Sequence, residues 1–302
     1  MTAGKFRMRL PATSANLGSG FDTAAIALDF YLEIEAERAG EFAIDAAGCD
    51  AEICSKLERN LILDTYRQVL TEHGAEIQPV SIRMRNDIPL GMGCGSSAAG
   101  RLAAIAMAAH FGNQKWSDER ILEEACALEG HPDNAAACWL GGFVAAAMEG
   151  RSVYAARVEP PQDWRAVVAY PAESLATSTA RAILPGSYAS ADVVTNLQSV
   201  SMLGLAFAQG RGDLLSVAMR DRIHQPYRSK LCGLLPKLLP LVGQQGILGV
   251  ALSGAGPAVL VIVGSEREAE QACELIGSVT SGDKPKLKVT RFPSFGAAQS
   301  RG

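Results

Sequence analysis

Gly91, Gly93 and Gly95 stand at every second position of Pro89-Leu-Gly-Met-Gly-Cys-Gly-Ser-Ser-Ala-Ala99, between a strand-like run and a helix-like run. Glycine accepts a positive φ at no steric cost, so the backbone there can turn sharply and approach a ligand closely. Ser96 and Ser97 follow where a helix should begin. The free N–H groups of a first helical turn, with the positive end of the helix dipole, favour an anion, and a polyphosphate suits such a cradle best. The Walker loop is excluded because no lysine follows Gly95, and the dinucleotide fingerprint Gly-x-Gly-x-x-Gly because Gly recurs here at every second position. A tight strand-to-helix turn without a ligand is the other reading of this loop alone.

Further groups able to do chemistry lie in three other places. Asn16 and Asp22 put an amide and a carboxylate on the short stretch 12–22, where a solvated turn would use the same residue types. Gly130-His-Pro-Asp-Asn134 packs imidazole, carboxylate and amide into five residues. That segment reads either as a ligand-binding turn or as a connection between helices, with Asp133 capping the second. Thr177-Ser-Thr-Ala-Arg181 places hydroxyls and a guanidinium at a helix start, as an anion clamp would, and Gln225-Pro-Tyr-Arg228 supplies another cation. Glu123, Glu124 and Glu129 crowd the C-terminal end of a predicted helix, where the dipole disfavours acid and a compensating partner is required.

The elements that must position these groups follow from periodicity. A first strand should run to Pro11, and residues 12–22 should form a polar loop. Residues 23–47 read as a hairpin with Tyr31, Ile34, Phe42 and Ile44 apolar, and the segment from Asn60 as an amphipathic helix. Val80, Ile82 and Met84 alternate with polar residues in the strand that enters the glycine loop. An Ala-rich helix should leave it, carrying Leu102, Ile105, Met107 and Phe111 and ending at Gly112. A second helix is expected over 117–128 and an apolar run over 135–148. Past Pro160-Pro161 a second unit should open with the strand 164–170. Helices over 192–209 and 212–222 follow, then strands over 248–253, 258–264 and 287–292. Ser265-Glu-Arg-Glu268 should cap the helix before the last strand, and Ser253-Gly-Ala-Gly-Pro257 makes a second glycine turn.

With 302 residues, 48% of them hydrophobic, the chain can bury a sizeable core, and its length suggests two domains, 1–160 and 161–302. A net charge of −4 with scattered Lys and Arg argues against a nucleic-acid partner. Seven cysteines without a Cys-x-x-Cys pair fit reduced thiols in the cytoplasm. Residues 238–265 lack charge, yet their glycines and prolines break them into buried strands and turns, so no membrane association is expected.

Taken in order, Pro11-Ala-Thr-Ser-Ala-Asn-Leu-Gly-Ser-Gly-Phe-Asp22, the glycine loop, Gly130-His-Pro-Asp-Asn134 and Leu252-Ser-Gly-Ala-Gly-Pro257 resemble the motifs of the GHMP small-molecule kinases. As a set they are most similar to members that phosphorylate L-homoserine. The resemblance implies an α+β fold with an N-terminal ribosomal-protein-S5-like domain and a C-terminal ferredoxin-like domain, a site between them, and ATP with Mg2+. It places the phosphates on Pro89, Leu90, Gly91, Met92, Gly93, Cys94, Gly95, Ser96, Ser97, Ala98 and Ala99. The acceptor falls on Asn16, Asp22, His131, Asp133, Asn134, Thr177, Arg181 and Arg228, with Asn134 and Asn16 at the chemistry. Homoserine carries an ammonium, a carboxylate and a hydroxyl, which matches carboxylates at one end and arginines at the other. A mevalonate-like or shikimate-like alcohol, or a silent metabolite-binding relative, is the alternative. The metal Glu of the family would align with Ala127 here, so Ser97 and Glu129, or Glu123, are expected to serve. A homodimer is expected. A side chain at Gly93 or Gly95 should intrude on the polyphosphate.

Overall fold

The structure, a computed structural model, describes residues 4–301. In chain order its elements are β1 (Phe6–Asn16), β2 (Gly20–Arg38), β3 (Ala43–Gly48), α1 (Ala51–Cys54), α2 (Leu61–Glu72), β4 (Val80–Asn86), α3 (Ser96–Phe111), α4 (Asp118–Glu129) and α5 (Asp133–Leu140). Then come β5 (Phe143–Glu149), β6 (Ser152–Val158), β7 (Arg165–Tyr170), α6 (Thr177–Ala182), α7 (Ser190–Gln209), α8 (Leu215–Ala218), α9 (Gln225–Arg228), α10 (Leu235–Leu238), β8 (Ile247–Leu252), β9 (Val259–Val263), α11 (Glu266–Val279) and β10 (Lys286–Thr290).

The first sheet runs β3-β4-β2-β5-β6, with β1 also paired to β2. Two expectations are corrected here. Pro11 does not end the first strand: the register slips between Pro11 and Ala12, a bulge that absorbs the missing N–H on a strand whose only partner is β2, and pairing continues to Asn16. Residues 23–47 are not a hairpin. Strand β4 takes the place beside β2, antiparallel, and β3 lies parallel to β4 at the edge. Burial explains the exchange, since Val80, Ile82 and Met84 of β4 are buried while β3 is mostly exposed and suits an edge.

Periodicity places most of the helices, but the one expected over 212–222 shrinks to a 3-10 turn at Gly212–Leu214 followed by α8. α2 is capped by Asn60, whose side chain accepts from the N–H groups of Ile62 and Leu63, and it buries Ile62, Leu63, Tyr66, Val69 and Leu70 at spacings of three and four. Each such side chain contributes about 1.5–3 kcal/mol when fully buried. α3 buries twelve of its sixteen residues, mostly alanine, and so can lie centrally under the sheet. The apolar run over 135–148 divides at Gly141 and Gly142 into α5 and β5, and β5 pairs with β6.

The second sheet is antiparallel in the order β10-β7-β9-β8, with helices after β7 and between β9 and β10. This β-α-β-β-α-β order is the ferredoxin-like arrangement. Its strands bury both faces. Ala166, Val168, Tyr170, Leu260 and Ile262 join the core shared with the first sheet, and Val167, Ala169, Val259, Val261 and Val263 face α10 and α11. Phe143 of β5 stacks on Phe207 of α7 at 4.4 Å, which joins the first sheet to a helix of the second unit.

Candidate active site

The glycine loop joins β4 to α3, with φ of +67°, +78° and +72° at Gly91, Gly93 and Gly95, the last being the residue that caps α3. Its carbonyls are held from behind. Gly91 O accepts from Leu175 N at 3.1 Å, Met92 O from Ala258 N at 3.3 Å, Gly93 O from Ser253 Oγ at 2.8 Å and Cys94 O from Thr13 N at 3.0 Å. With the carbonyls fixed inward, none of the backbone N–H groups of residues 91–98 meets an acceptor among the described residues. Unpaired amides at a helix N-terminus form an anion site. One expectation changes here. A Cβ on Gly93 would meet Ser253 O at 2.2 Å and one on Gly95 would meet Thr13 Oγ1 at 2.0 Å, so packing behind the loop also demands these glycines. The Cys94 thiol is buried against Tyr170 Oη, and burial pushes it up to about 11, which leaves it inert.

A cleft of about 190 Å³ opens beside this loop and gathers Asn16, Asp22, His131, Asp133, Asn134, Thr177, Arg181 and Arg228. Asn16 and Asp22 both adopt positive φ, +71° and +54°. The amide of Asn16 is occupied at both ends, with Oδ1 accepting from Asp22 N at 3.0 Å and Nδ2 donating to Gly254 O at 2.8 Å, so it aims Asp22. Asp22 in turn receives Arg181 through two hydrogen bonds of 2.9 and 2.7 Å. His131 Nδ1 lies 2.6 Å from Asp133 Oδ1. Burial would lower the pKa of that imidazole, but the hydrogen bond and charge of Asp133 raise it overall.

Arg228 is 1% exposed and lines the cleft. Its Nε donates to Ala180 O at 3.1 Å and its Nη1 to Gly254 O at 3.3 Å, and Phe21 lies 5.3 Å beneath the guanidinium. Among the described residues no carboxylate lies within ion-pair distance of it, and its Nη2 makes no hydrogen bond. A buried cation in that condition asks for an anion from outside.

The acidic cluster on α4 has its partners. Glu124, buried, receives Arg120, Arg151 at 2.7 Å and His73 at 3.3 Å. Glu129 lies on the cleft wall, where its Oε2 accepts from Ser97 Oγ at 3.2 Å and its Oε1 is 2.8 Å from Arg101 Nε. Glu123 is away from the cleft, 3.9 Å from Arg120. Asp22, His131 and Asp133 also present ligand atoms within 4.8 Å of one another, but Arg181 and His131 already hold both carboxylates.

A second cavity, of about 270 Å³, shares Ser96 and Ser97 with the cleft and continues between Cys54, Asn60, Leu61, Met84, Ile88 and Leu90. Sequence reading missed it because its walls come from five separate elements. It missed Thr13 and His224 as well. Thr13 stood inside a quoted motif without a chemical reason, and His224 meets Gly18 O, at 2.8 Å, only across 206 residues of sequence.

Unpaired amides for a polyphosphate, in one cleft with groups for a small charged acceptor, define the class: a kinase of small molecules. Comparison with known proteins agrees. The family described as "GHMP kinases N terminal domain" matches residues 60–142, and "GHMP kinases C terminal" matches residues 205–277. The homoserine kinase of Solibacter usitatus is 40% identical over 91% of this chain and 90% of its own. A putative homoserine kinase structure from Listeria monocytogenes is 26% identical with a TM-score of 0.76, covering 97% of this chain and 98% of that one. The crystal structure of homoserine kinase from Cytophaga hutchinsonii, 24% identical over 97% of this chain and 96% of that one, shares the fold at a TM-score of 0.82. The chain belongs to the GHMP kinase family.

Proposed function

We propose that this chain transfers the γ-phosphoryl group of ATP to the side-chain hydroxyl of L-homoserine, giving O-phospho-L-homoserine in threonine biosynthesis. The observation that carries this reading is Arg228, a buried guanidinium without a carboxylate partner, in the cleft that Asp22 and Asp133 also line. Homoserine's carboxylate goes to Arg228 and Arg181, with Thr177 beside them, and its ammonium to Asp22 and the carboxylate of Asp133. A mevalonate-like or shikimate-like acid has no ammonium for those carboxylates. The adenosine fits the 270 Å³ cavity and the phosphates the free amides of residues 91–98. Mg2+ is assigned to Ser97 and Glu129, whose oxygens line the cleft beside the amide cradle; Glu129 would have to turn from Arg101 to hold it, and the ion would neutralise polyphosphate charge. No group is assigned as general base: the carboxylates and His131, whose basicity Asp133 raises, are kept for the acceptor's ammonium and its surroundings. Phosphoryl transfer through a loose transition state relies on in-line placement and electrostatic stabilisation, which Asn134, the amides and the arginines supply.

Residues 1–160 and 161–302 form the two domains in this reading, the cytoplasm is its setting, and a homodimer is its assembly. The exposed Val194, Leu197 and Leu205 of α7 favour the last, and light scattering tests it. Among the described residues no helix is long and apolar enough to cross a membrane. The test of function is ADP release with ATP, Mg2+ and a panel of hydroxyl metabolites. Homoserine should be preferred by far. Preference for mevalonate or shikimate would overturn the substrate, and release with none of the panel would overturn the kinase reading.

A further inference from the structure

Thr13, in β1, is fully buried and touches both halves of the site. Its N–H donates to Cys94 O in the glycine loop at 3.0 Å, and its Oγ1 lies 2.7 Å from Asn134 Oδ1. The neighbours of Asn134 fix which way its amide points. Its other terminal atom is 3.4 Å from Asp133 Oδ1, a carboxylate oxygen that also receives His131 Nδ1 and the Asn134 N–H, each at 2.6 Å. A carboxylate only accepts, so the atom facing it is the amide nitrogen and the oxygen faces Thr13, whose hydroxyl donates. The reverse orientation would set two acceptor oxygens against each other.

We propose that Thr13 is a positioning residue for phosphoryl transfer. Its hydroxyl holds Asn134 with the amide nitrogen turned toward the cleft, so that Asn134 acts as a hydrogen-bond donor to the reacting hydroxyl oxygen or the transferring phosphoryl oxygen. Asn134 therefore orients and stabilises, and it does not take the hydroxyl proton. The contact between Thr13 and Asn134 needs a glycine beside it. A Cβ on Gly95, at the start of α3, would lie 2.0 Å from Thr13 Oγ1 and 3.2 Å from Asn134 Oδ1. The inference rests on the kinase reading above and deepens it.

The experiment compares steady-state kinetics of Thr13→Val, Thr13→Ser, Asn134→Asp and Asn134→Ala with wild type, using homoserine and ATP. Thr13→Val keeps the shape and removes the donor, and it should lower kcat on the order of tenfold while both KM values stay near wild type. Thr13→Ser should restore most of kcat. Asn134→Asp still accepts from Thr13 but offers the cleft no donor, so it should lose as much kcat as Asn134→Ala. Wild-type kcat in Thr13→Val, or retained activity in Asn134→Asp, overturns the proposal. If Thr13→Val does not fold, Thr13→Ala takes its place, with the same loss of kcat at near wild-type KM expected and wild-type kcat overturning the proposal. A wild type that releases no ADP with any alcohol is a different failure, that of the kinase reading itself.

Discussion

Arg181 closes on Asp22 as a fork, Nη1 to Oδ2 at 2.9 Å and Nη2 to Oδ1 at 2.7 Å, across the cleft that Arg228 also lines. Planar bidentate pairing of this kind satisfies both charges without a ligand. A zwitterion can replace it at little electrostatic cost, giving an ammonium to Asp22 and a carboxylate to Arg181. A simple hydroxy acid would take Arg181 and leave Asp22 unpaired. Charge pattern thus selects the acceptor.

Arg181→Ala should accordingly raise the KM for homoserine and spare that for ATP. Loss of one charge-assisted contact costs on the order of 1.5–3 kcal/mol, and about 1.4 kcal/mol is tenfold. Both side chains are partly exposed, so a rise nearer tenfold than a hundredfold is expected. Homoserine methyl ester, which offers no carboxylate, should discriminate poorly between wild type and variant. Equal damage to ATP and homoserine use would make Arg181 a phosphate ligand or a structural residue.

In the glycine loop, Gly95→Val should abolish ATP binding and lower Tm together. The new Cβ would strike Thr13 Oγ1, and a β-branched residue at φ +72° is strained. At Gly91 an added Cβ meets only the Ser174 side chain, 3.1 Å from its Cβ, so Gly91→Ala should cost less stability. Calorimetric titration with ATP alongside thermal unfolding separates the two. Full ATP affinity in Gly95→Val would mean that the phosphates bind elsewhere.

Sequence pattern revealed the loop because alternating glycines before a helix have few other uses, α2 because its period is clean, and β7 and β9 because they are short unbroken apolar runs bounded by turns. Partner choice was not legible. β3 and β4 both read as short strands, and it is the burial of Val80, Ile82 and Met84 in the core that decides which one lies beside β2. Likewise Asp22 and Arg181 were both marked as ligands to the acceptor, but nothing local reveals that they pair with each other across 159 residues. The 135–148 run is apolar on both sides of Gly141, so the boundary between α5 and β5 stayed hidden.

For the metal, Glu129→Gln should raise the Mg2+ concentration needed for half-maximal activity and leave the homoserine KM unchanged. The carboxylate sits 3.2 Å from Ser97 Oγ at the edge of the amide cradle, so its charge bears on the phosphate end of the cleft. Glu123→Gln serves as the control, since that side chain lies outside the cleft. If only the control shifts the Mg2+ titration, the assignment to Glu129 is wrong.

His224 and His131 should give stability opposite dependences on pH. His224 is fully buried, stacks on Phe21 at 5.2 Å and has Nε2 2.8 Å from Gly18 O. Arg228 Nη1 faces its Nδ1 at 3.3 Å, and a guanidinium only donates, so Nδ1 accepts and the ring is neutral. Burial first, and Arg228 with it, push the pKa of His224 below its ordinary value, against the opposing pull of Asp221 at 3.6 Å. With the folded pKa lowered, the unfolded chain binds more protons once pH falls below about 6.5, so this contribution is complete above that value and is lost in acid. His131 is raised, so its contribution is complete below about 6.5 and is lost as pH rises through the folded pKa. Urea unfolding across this range should therefore show a shallower acid loss in His224→Gln than in wild type, and a shallower alkaline loss in His131→Gln. An acid slope in His224→Gln as steep as that of wild type would mean that the ring is already charged in the folded protein, with Arg228 displaced from it.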